Sequence, residues 1–463
     1  MKQTNQGWMI FGFLVSVLTG GAEAQTTIEL GPGDDLPGRI RQAQAGTTIR
    51  LRDGTYPVAG TLQIVADRIT LTSKSGNREA VILDGNLGGQ PLSRANFMSE
   101  IVQVRASSVT ISDLTIRHAA AHGIHASGGS ETIRHLVVRN VHILDCGEQF
   151  IKVNSNGDQT HLTWVDSGLV EHSLLEFQNT SVVHDMGTYD YTGGIDIHGG
   201  RDWIIRSNEF RNFWRDDRLQ EHAIHFWSRS RGSLIENNTF INCWRAVGFG
   251  MKTQAEGLTR AYPDGAGESP YFDHVDGIVR NNVVYNDANH RLESGIELAN
   301  VTGAQIYHNT IFSRTAPFNS IEYRWPNTRV TIKNNLCSHR IMERDGAQAV
   351  LATNLTPATE ALFVNPDGEN LHLQPTATSA IRQASSLESG LAGQDMDGYA
   401  VASPADIGAD QQGKGVGLAP WRLPRNLAAW SPSFTGTLIE FDGRDGLGRG
   451  RAAQERRRGL RGP

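Results

Sequence analysis

Cysteine is scarce in this chain of 463 residues: Cys146, Cys243 and Cys337 are all it has. An odd, small number makes no disulfide framework, and without a CxxC pair nothing suggests structural zinc. The three thiols are expected to be buried small hydrophobes. Charge of one sign is also scarce. The 43 Lys and Arg against 49 Asp and Glu leave a formal net charge of −6, which gives no support to general nucleic-acid binding. Beyond the N-terminal segment no run reaches the roughly 18 uninterrupted apolar residues of a membrane span. Hydrophobic residues at 38% and charged residues at 20% exclude wholesale disorder. The 50 glycines follow no triplet period, which excludes collagen.

The N-terminus carries Lys2, an apolar stretch from Trp8 to Leu18, and the small-x-small run Ala22, Glu23, Ala24. That pattern reads as a secretory signal peptide over 1–24, cleaved after Ala24, and predicts a secreted or periplasmic protein. At the other end, 413–463 is rich in Pro, Gly and Arg and reads as a flexible tail.

Between these ends the chain repeats itself. IIRSNEFRN (204–212), LIENNTFIN (234–242), IVRNNVVYN (278–286), QIYHNTIFS (305–313) and TIKNNLCSH (331–339) are short β-rich runs with a central Asn. With looser copies upstream, the anchors are Asp113, Asn140, Ser173, Asn208, Asn238, Asn282, Asn309 and Asn335, at intervals between 26 and 44 residues. A base period in the twenties with insertions is a solenoid signature, and period-two alternation argues against helical repeats. The expected fold is all-β: a right-handed parallel β-helix over 25–412, whose stacked coils bury one continuous core. The recurrent Asn suits left-handed turns, and its amide can bond its copy in the next coil. DDLPGRIRQAQAG (34–46) predicts a short helix, placed as an N-terminal cap. The segments FVNPDGENLHL and SPADIGADQQ predict a closing cap.

A second strand follows each anchor: GIHAS, FIKVN, GIDIH, AIHFW, AVGFG, GIELA and SIEYR. Its second and fourth positions are apolar, so the third and fifth face outward. The first outward column is then His125, Lys152, Asp196, His225, Gly248, Glu297, Glu322. The second is Ser127, Asn154, His198, Trp227, Gly250, Ala299, Arg324. Coils stack about 4.8 Å apart, so Lys152, Asp196 and His225 should touch in sequence. Gly248 and Gly250 predict a notch beside Trp227. Insertions at 186–191, 214–221 and 252–273 carry Tyr189, Tyr191, Trp214, Tyr262, Tyr271, Arg215, Arg218 and Arg260 and should wall a groove. Exposed aromatics and Arg suit a sugar chain.

Two chemistries fit these columns. β-Elimination on a uronic acid needs the sugar carboxylate neutralised and a base near C5. Lys152, His198 and His225 are suited to base and acid work. Asp196 is suited to orient a His, to hold calcium with Asn154 or water, or simply to join a salt-bridge ladder with Lys152 and His225. Trp227 would stack on a sugar and Arg324 bind its carboxylate. Hydrolysis needs paired carboxyl groups, and Glu297 and Glu322 fall on adjacent coils about 5 Å apart; Arg324 is placed to neutralise them. A metal hydrolase using His125, His198, His225 and Asp196 is a further possibility, and a non-catalytic polysaccharide binder another. The expected partner is an acidic polysaccharide bound by a monomer, with no nucleic acid and no membrane span.

The chain resembles the secreted right-handed parallel β-helix repeat proteins over about residues 26–412, through GEQFIKVN, YTGGIDIHGGRDWIIRSNEFRNF, EHAIHFWSRS, NCWRAVGFG and SPADIGAD. GEQFIKVNSN is similar to a pattern in polysaccharide lyase family six, the alginate and chondroitin lyases. That resemblance implies Lys152 as base and Glu148 as a supporting or calcium-binding carboxylate. The family's catalytic Arg has no clear match here; the stacked position holds Asp196. The pectate-lyase RxPxxR pattern, the ordered polygalacturonase set and the mannuronan-epimerase DPHD motif are absent.

Overall fold

The computed structural model describes residues 26–86, 93–157, 161–179, 192–215, 221–251, 260–262, 264–265, 271–401 and 403–414. Residues 1–24, read from the sequence as a signal peptide, Tyr189, Tyr191, Arg218 and nearly all of 413–463 lie outside the described residues.

Three parallel sheets of 12, 10 and 10 strands run the length of the chain. The first two strands, Thr27–Leu30 and Thr48–Leu51, pair directly; after them, successive strands of the stack lie in different sheets, and each pairs with the strand one coil away. This is a parallel β-helix. Its core is a single column of inward residues, including Ile111, Val138, Val170, Ile205, Ile235, Val279, Ile306 and Ile332, all with no exposed surface. Phe150, Phe177, Phe210 and Phe213 pack edge-on or tilted inside the middle coils. The three cysteines are buried and free. Burial pushes the Cys146 and Cys243 thiols up to about 12, so they behave as hydrophobes.

The asparagine ladder exists, but with a different division of labour. Asn208, Asn238, Asn282, Asn309 and Asn335 each donate from Nδ2 to the next amide oxygen at 2.9–3.0 Å, and the ladder ends on Asn354. The left-handed residue is the one before each rung: Ser207, Asn237, Asn281, His308 and Asn334. Asp113 and Asn140 themselves have positive φ. They therefore align with the turn position, one residue before the rung, which corrects their use as anchors.

A helix, α1 (Leu36–Gln42), begins where expected, with Asp35 accepting from the Gly38 N–H and Pro37 in the first turn. Leu36 and Ile40 join the main core. The closing segment departs from expectation. After the last strand of the longest sheet, Gln348–Ala352, the chain folds back along the outside of the stack. Phe363, Leu371, Leu373, Ile407 and Ala409 pack on Ile241, Val283, Tyr285, Phe312 and Leu336, the outward residues of one sheet. The end of the stack is not covered by them: Leu351, in register with the buried Ile332, is 49% exposed. No helix among the described residues is long and apolar enough to cross a membrane.

Candidate active site on the third sheet

The third sheet carries both outward columns. Its register pairs His125 with Lys152, Lys152 with Asp196, Asp196 with His225, His225 with Gly248, Gly248 with Glu297, and Glu297 with Glu322. Alongside, Ser127 pairs with Asn154, His198 with Trp227, and Ala299 with Arg324. Alternation sets this arrangement: Ile195 and Ile197 are fully buried in the core, which turns Asp196 and His198 outward. The strand ends after His198 because Gly199 takes a positive φ there, with the Trp164 ring against it.

The contacts among these side chains differ from a simple ladder. Lys152 Nζ donates to Asp196 Oδ2 at 2.5 Å and lies 3.0 Å from His198 Nε2. His198 Nε2 lies 3.1 Å from the same Asp196 oxygen. Lys152, Asp196 and His198 thus form a closed triangle. Burial opposes ionisation of Asp196, but the His198 and Lys152 charges outweigh it and hold the carboxyl below its ordinary range. Lys152 and Asp196 are nearly covered, whereas the His198 side chain is 28% exposed and Trp227 is half-buried beside it. His198 is therefore the accessible corner, and its Nδ1 makes no hydrogen bond to the described residues.

His225 is not the third rung. Its Nε2 lies 3.2 Å from the Gly250 carbonyl oxygen, and its Nδ1 lies 3.3 Å from Glu221. Trp227 meets its ring edge-on at 4.7 Å. The expected notch is filled too: a Cβ on Gly248 would stand 2.6 Å from His222 Nε2, so glycine there seats the His222 ring. Calcium on Asp196 and Asn154 is likewise not what these contacts favour. The Lys152 ammonium sits on Asp196, and Asn154 Oδ1 is held by His125 Nε2 at 3.1 Å. His125 Nδ1 in turn bonds Glu100 at 2.7 Å, so His125, His198, His225 and Asp196 do not converge on one metal.

The carboxylate pair is also differently engaged. Glu297 meets His222 at 3.2 Å and Arg245 at 3.9 Å. Burial works against its charge, but His222 and Arg245 hold its pKa down to about 2. Glu322 is bound by Arg344 at 2.9 and 3.0 Å and by Asn319 at 2.8 Å. Arg324 stands further off at 3.7 Å and bonds Asp345 instead, which corrects the expectation that it neutralises the pair. Burial and the neighbouring Glu297 raise Glu322. Glu148 lies 3.7 Å from His122, one coil from Lys152.

The loop residues expected to wall a groove are largely committed to the scaffold. Arg260 forms a two-pronged pair with Asp166 at 2.6 and 2.8 Å and covers the Trp164 face. Tyr262 is buried and donates to the Arg229 carbonyl. Tyr271 donates to Asp273, Arg215 is buried, and Trp214 bonds the Arg291 carbonyl. Sequence reasoning missed Glu221, His222, Arg245 and Arg344. The signal available for His222 was the HAIH run.

Residues 122–337 match the family model described as a right handed beta helix region, in agreement with the parallel β-helix fold. No curated protein matches its sequence. Among solved structures it is similar to an alginate lyase from Paenibacillus sp. str. FPU-7, at 17% identity over 71% of this chain and 98% of that one, with a TM-score of 0.48. It is also similar to the pectate lyase Pel9A, at 12% identity over 84% and 97%, with a TM-score of 0.49. A family-six polysaccharide lyase from Pseudopedobacter saltans aligns at 12% identity over 75% and 96%, with a TM-score of 0.32.

Proposed function

We propose that this protein is an exported lyase that cleaves a uronic-acid-containing polysaccharide by β-elimination. The observation that carries the reading is the triangle of Lys152 Nζ, Asp196 Oδ2 and His198 Nε2, with every side at 2.5–3.1 Å, beside the half-buried Trp227. β-Elimination removes the proton on C5 and breaks the C4–O bond, leaving a C4=C5 double bond; the departing oxygen takes a proton. His198 is the proton-transfer group. When its Nε2 carries hydrogen and donates to Asp196, its Nδ1 lone pair is the base. Once Nδ1 has taken the C5 proton, the ring is an imidazolium, and the Nδ1–H can pass to the departing oxygen as the acid. Lys152, paired with Asp196, would supply positive charge where the sugar carboxylate gathers electron density. Trp227 offers a stacking face, and Arg324 a more distant carboxylate contact.

A second reading rests on a separate observation. Glu297 and Glu322 are in register on adjacent coils, and their pKa values are pushed in opposite directions. That is the pattern of an acid and a base in glycoside hydrolysis.

The test incubates purified protein with a panel of acidic and neutral polysaccharides and follows ultraviolet absorbance of unsaturated ends together with reducing ends. Both rise under the lyase reading, and His198→Asn or Lys152→Met removes both. Reducing ends without absorbance would refute the lyase reading in favour of the Glu297 and Glu322 pair. Neither signal, with retained polymer binding that depends on Trp227, would refute both in favour of a binder.

A further inference from the structure

We propose that Glu221, His222 and His225 form a binding site for a divalent transition-metal ion of the zinc class. One ligand-type atom from each of the three lies within 4.8 Å of the others. Glu221 Oε2 is 3.3 Å from His225 Nδ1 and 3.7 Å from His222 Nδ1. Donor atoms held at 2.0–2.1 Å around a tetrahedral ion stand about 3.4 Å apart, so the spacing is that of a ligand set.

The opposite ring nitrogens fix which atoms point inward. His225 Nε2 faces the Gly250 carbonyl oxygen, which can only accept, so Nε2 carries the hydrogen and Nδ1 a lone pair. His222 Nε2 faces Glu297, a carboxylate, with the same consequence for its Nδ1. A metal-binding histidine whose second nitrogen donates to a carboxylate or a carbonyl is the usual outer arrangement of such sites. Three lone pairs therefore converge on one point.

An independent observation agrees. His222 Nδ1 and Glu221 Oε2 are buried and make no hydrogen bond of acceptable geometry; the His222 side chain is fully buried and that of His225 is 2% exposed. A buried acceptor without a donor is costly, and one cation satisfies both of these together with the His225 Nδ1 lone pair. Two imidazoles and one carboxylate suit zinc and its neighbours, with a fourth position open. Calcium prefers six to eight oxygens. The competing occupant is a proton on one Nδ1, shared with Glu221. The site does not depend on the lyase reading, which rests on His198, Lys152 and Asp196.

The test strips the full-length protein with a chelator, then titrates Zn2+ by calorimetry and Co2+ by visible absorption. About one equivalent should bind, Co2+ should show d–d bands of low-symmetry nitrogen and oxygen ligation, and Zn2+ should raise the melting temperature. Glu221→Gln and His222→Ala should each weaken binding by 10-fold or more, while His198→Asn binds as wild type. Circular dichroism checks that each variant is folded. Should His222→Ala fail to fold, the near-isosteric Glu221→Gln carries the test. Absence of stoichiometric binding, or equal affinity in Glu221→Gln and wild type, overturns the proposal.

Discussion

Breaking the Lys152–Asp196 pair one side at a time should cost far more than removing it whole. The two side chains are 7% and 8% exposed and meet at 2.5 Å, so water screens them little. In Asp196→Asn the ammonium stays buried beside His198 Nε2 but loses its carboxylate. A buried charge stripped of its partner costs about 3–5 kcal/mol. Lys152→Met leaves Asp196 with His198 at 3.1 Å, and the imidazole N–H can take over part of the Lys152 role. Its cost should fall at the lower end, about 3 kcal/mol. The double variant Lys152→Met, Asp196→Leu buries no charge of its own and should lie within about 1 kcal/mol of wild type. Urea unfolding followed by tryptophan fluorescence measures all four proteins, since the chain has nine tryptophans. Single variants costing under about 1 kcal/mol would refute the claim that this pair is desolvated. Additive costs in the double variant would place the loss in packing rather than charge. Activity separates scaffold from chemistry: under the lyase reading the stable double variant is inactive.

Three further outcomes follow from other parts of the fold. Asn282 donates to Asn309, Ile235 and Arg280 and accepts twice from Asn238, so Asn282→Ala strands several buried groups and should cost about 3–5 kcal/mol; Asn354→Ala, at the half-buried end of the ladder, should cost about 1 kcal/mol by the same urea measurement. Burial opposes the charge on His142, but Glu176 and Glu79, one on each ring nitrogen, raise its pKa. That contribution is complete below the ordinary histidine value and is lost as pH rises through the raised one, so His142→Asn should flatten the fall in melting temperature above pH ~6.5. Gly248→Ala pushes a Cβ to 2.6 Å from His222 Nε2 and should destabilise by about 1–3 kcal/mol while weakening Zn2+ binding; unchanged zinc affinity would place the metal elsewhere.

The outward columns were legible because period two holds without interruption where they lie. In Ile195–His198 and Ser294–Ala299 the inward residues are apolar in every coil, and parallel register carries that parity from strand to strand. What parity cannot supply is the contact made by a long side chain. Lys152 reaches diagonally to His198 as well as across to Asp196, and nothing in a five-residue frame signals that. His222 was missed for the opposite reason. Strict alternation places it on the face opposite His225, yet the two rings lie 4.6 Å apart because the strand has only begun at His222. Arg344 was missed because IMER lacks the pattern of the earlier coils. The ladder's phase was lost at Asp113 and Asn140, where the rung position holds Leu114 and Val141 and no amide marks it. The folded-back segment carries no repeat, so its packing on the outside of the stack left no periodic trace.

The charges on the third sheet sort themselves by what each can reach. Parallel in-register strands bring identical positions within about 4.8 Å, so a column of ionisable residues cannot remain a set of independent groups. Here Lys152 and Asp196 neutralise one another, Gly248 interrupts the column to admit His222, and Glu297 and Glu322 each draw an arginine from outside it, Arg245 and Arg344. Almost every charge is thereby spoken for within the protein. His198 is the exception in degree: one nitrogen belongs to the triangle, while the ring remains 28% exposed beside Trp227. A polymer that approaches this face meets an aromatic platform and a single imidazole, with the ammonium and carboxylate behind it setting which nitrogen holds the proton. Under the lyase reading, that separation of an accessible imidazole from its buried electrostatic support is why the His198→Asn variant, which keeps the Lys152–Asp196 pair, should lose turnover with little loss of stability.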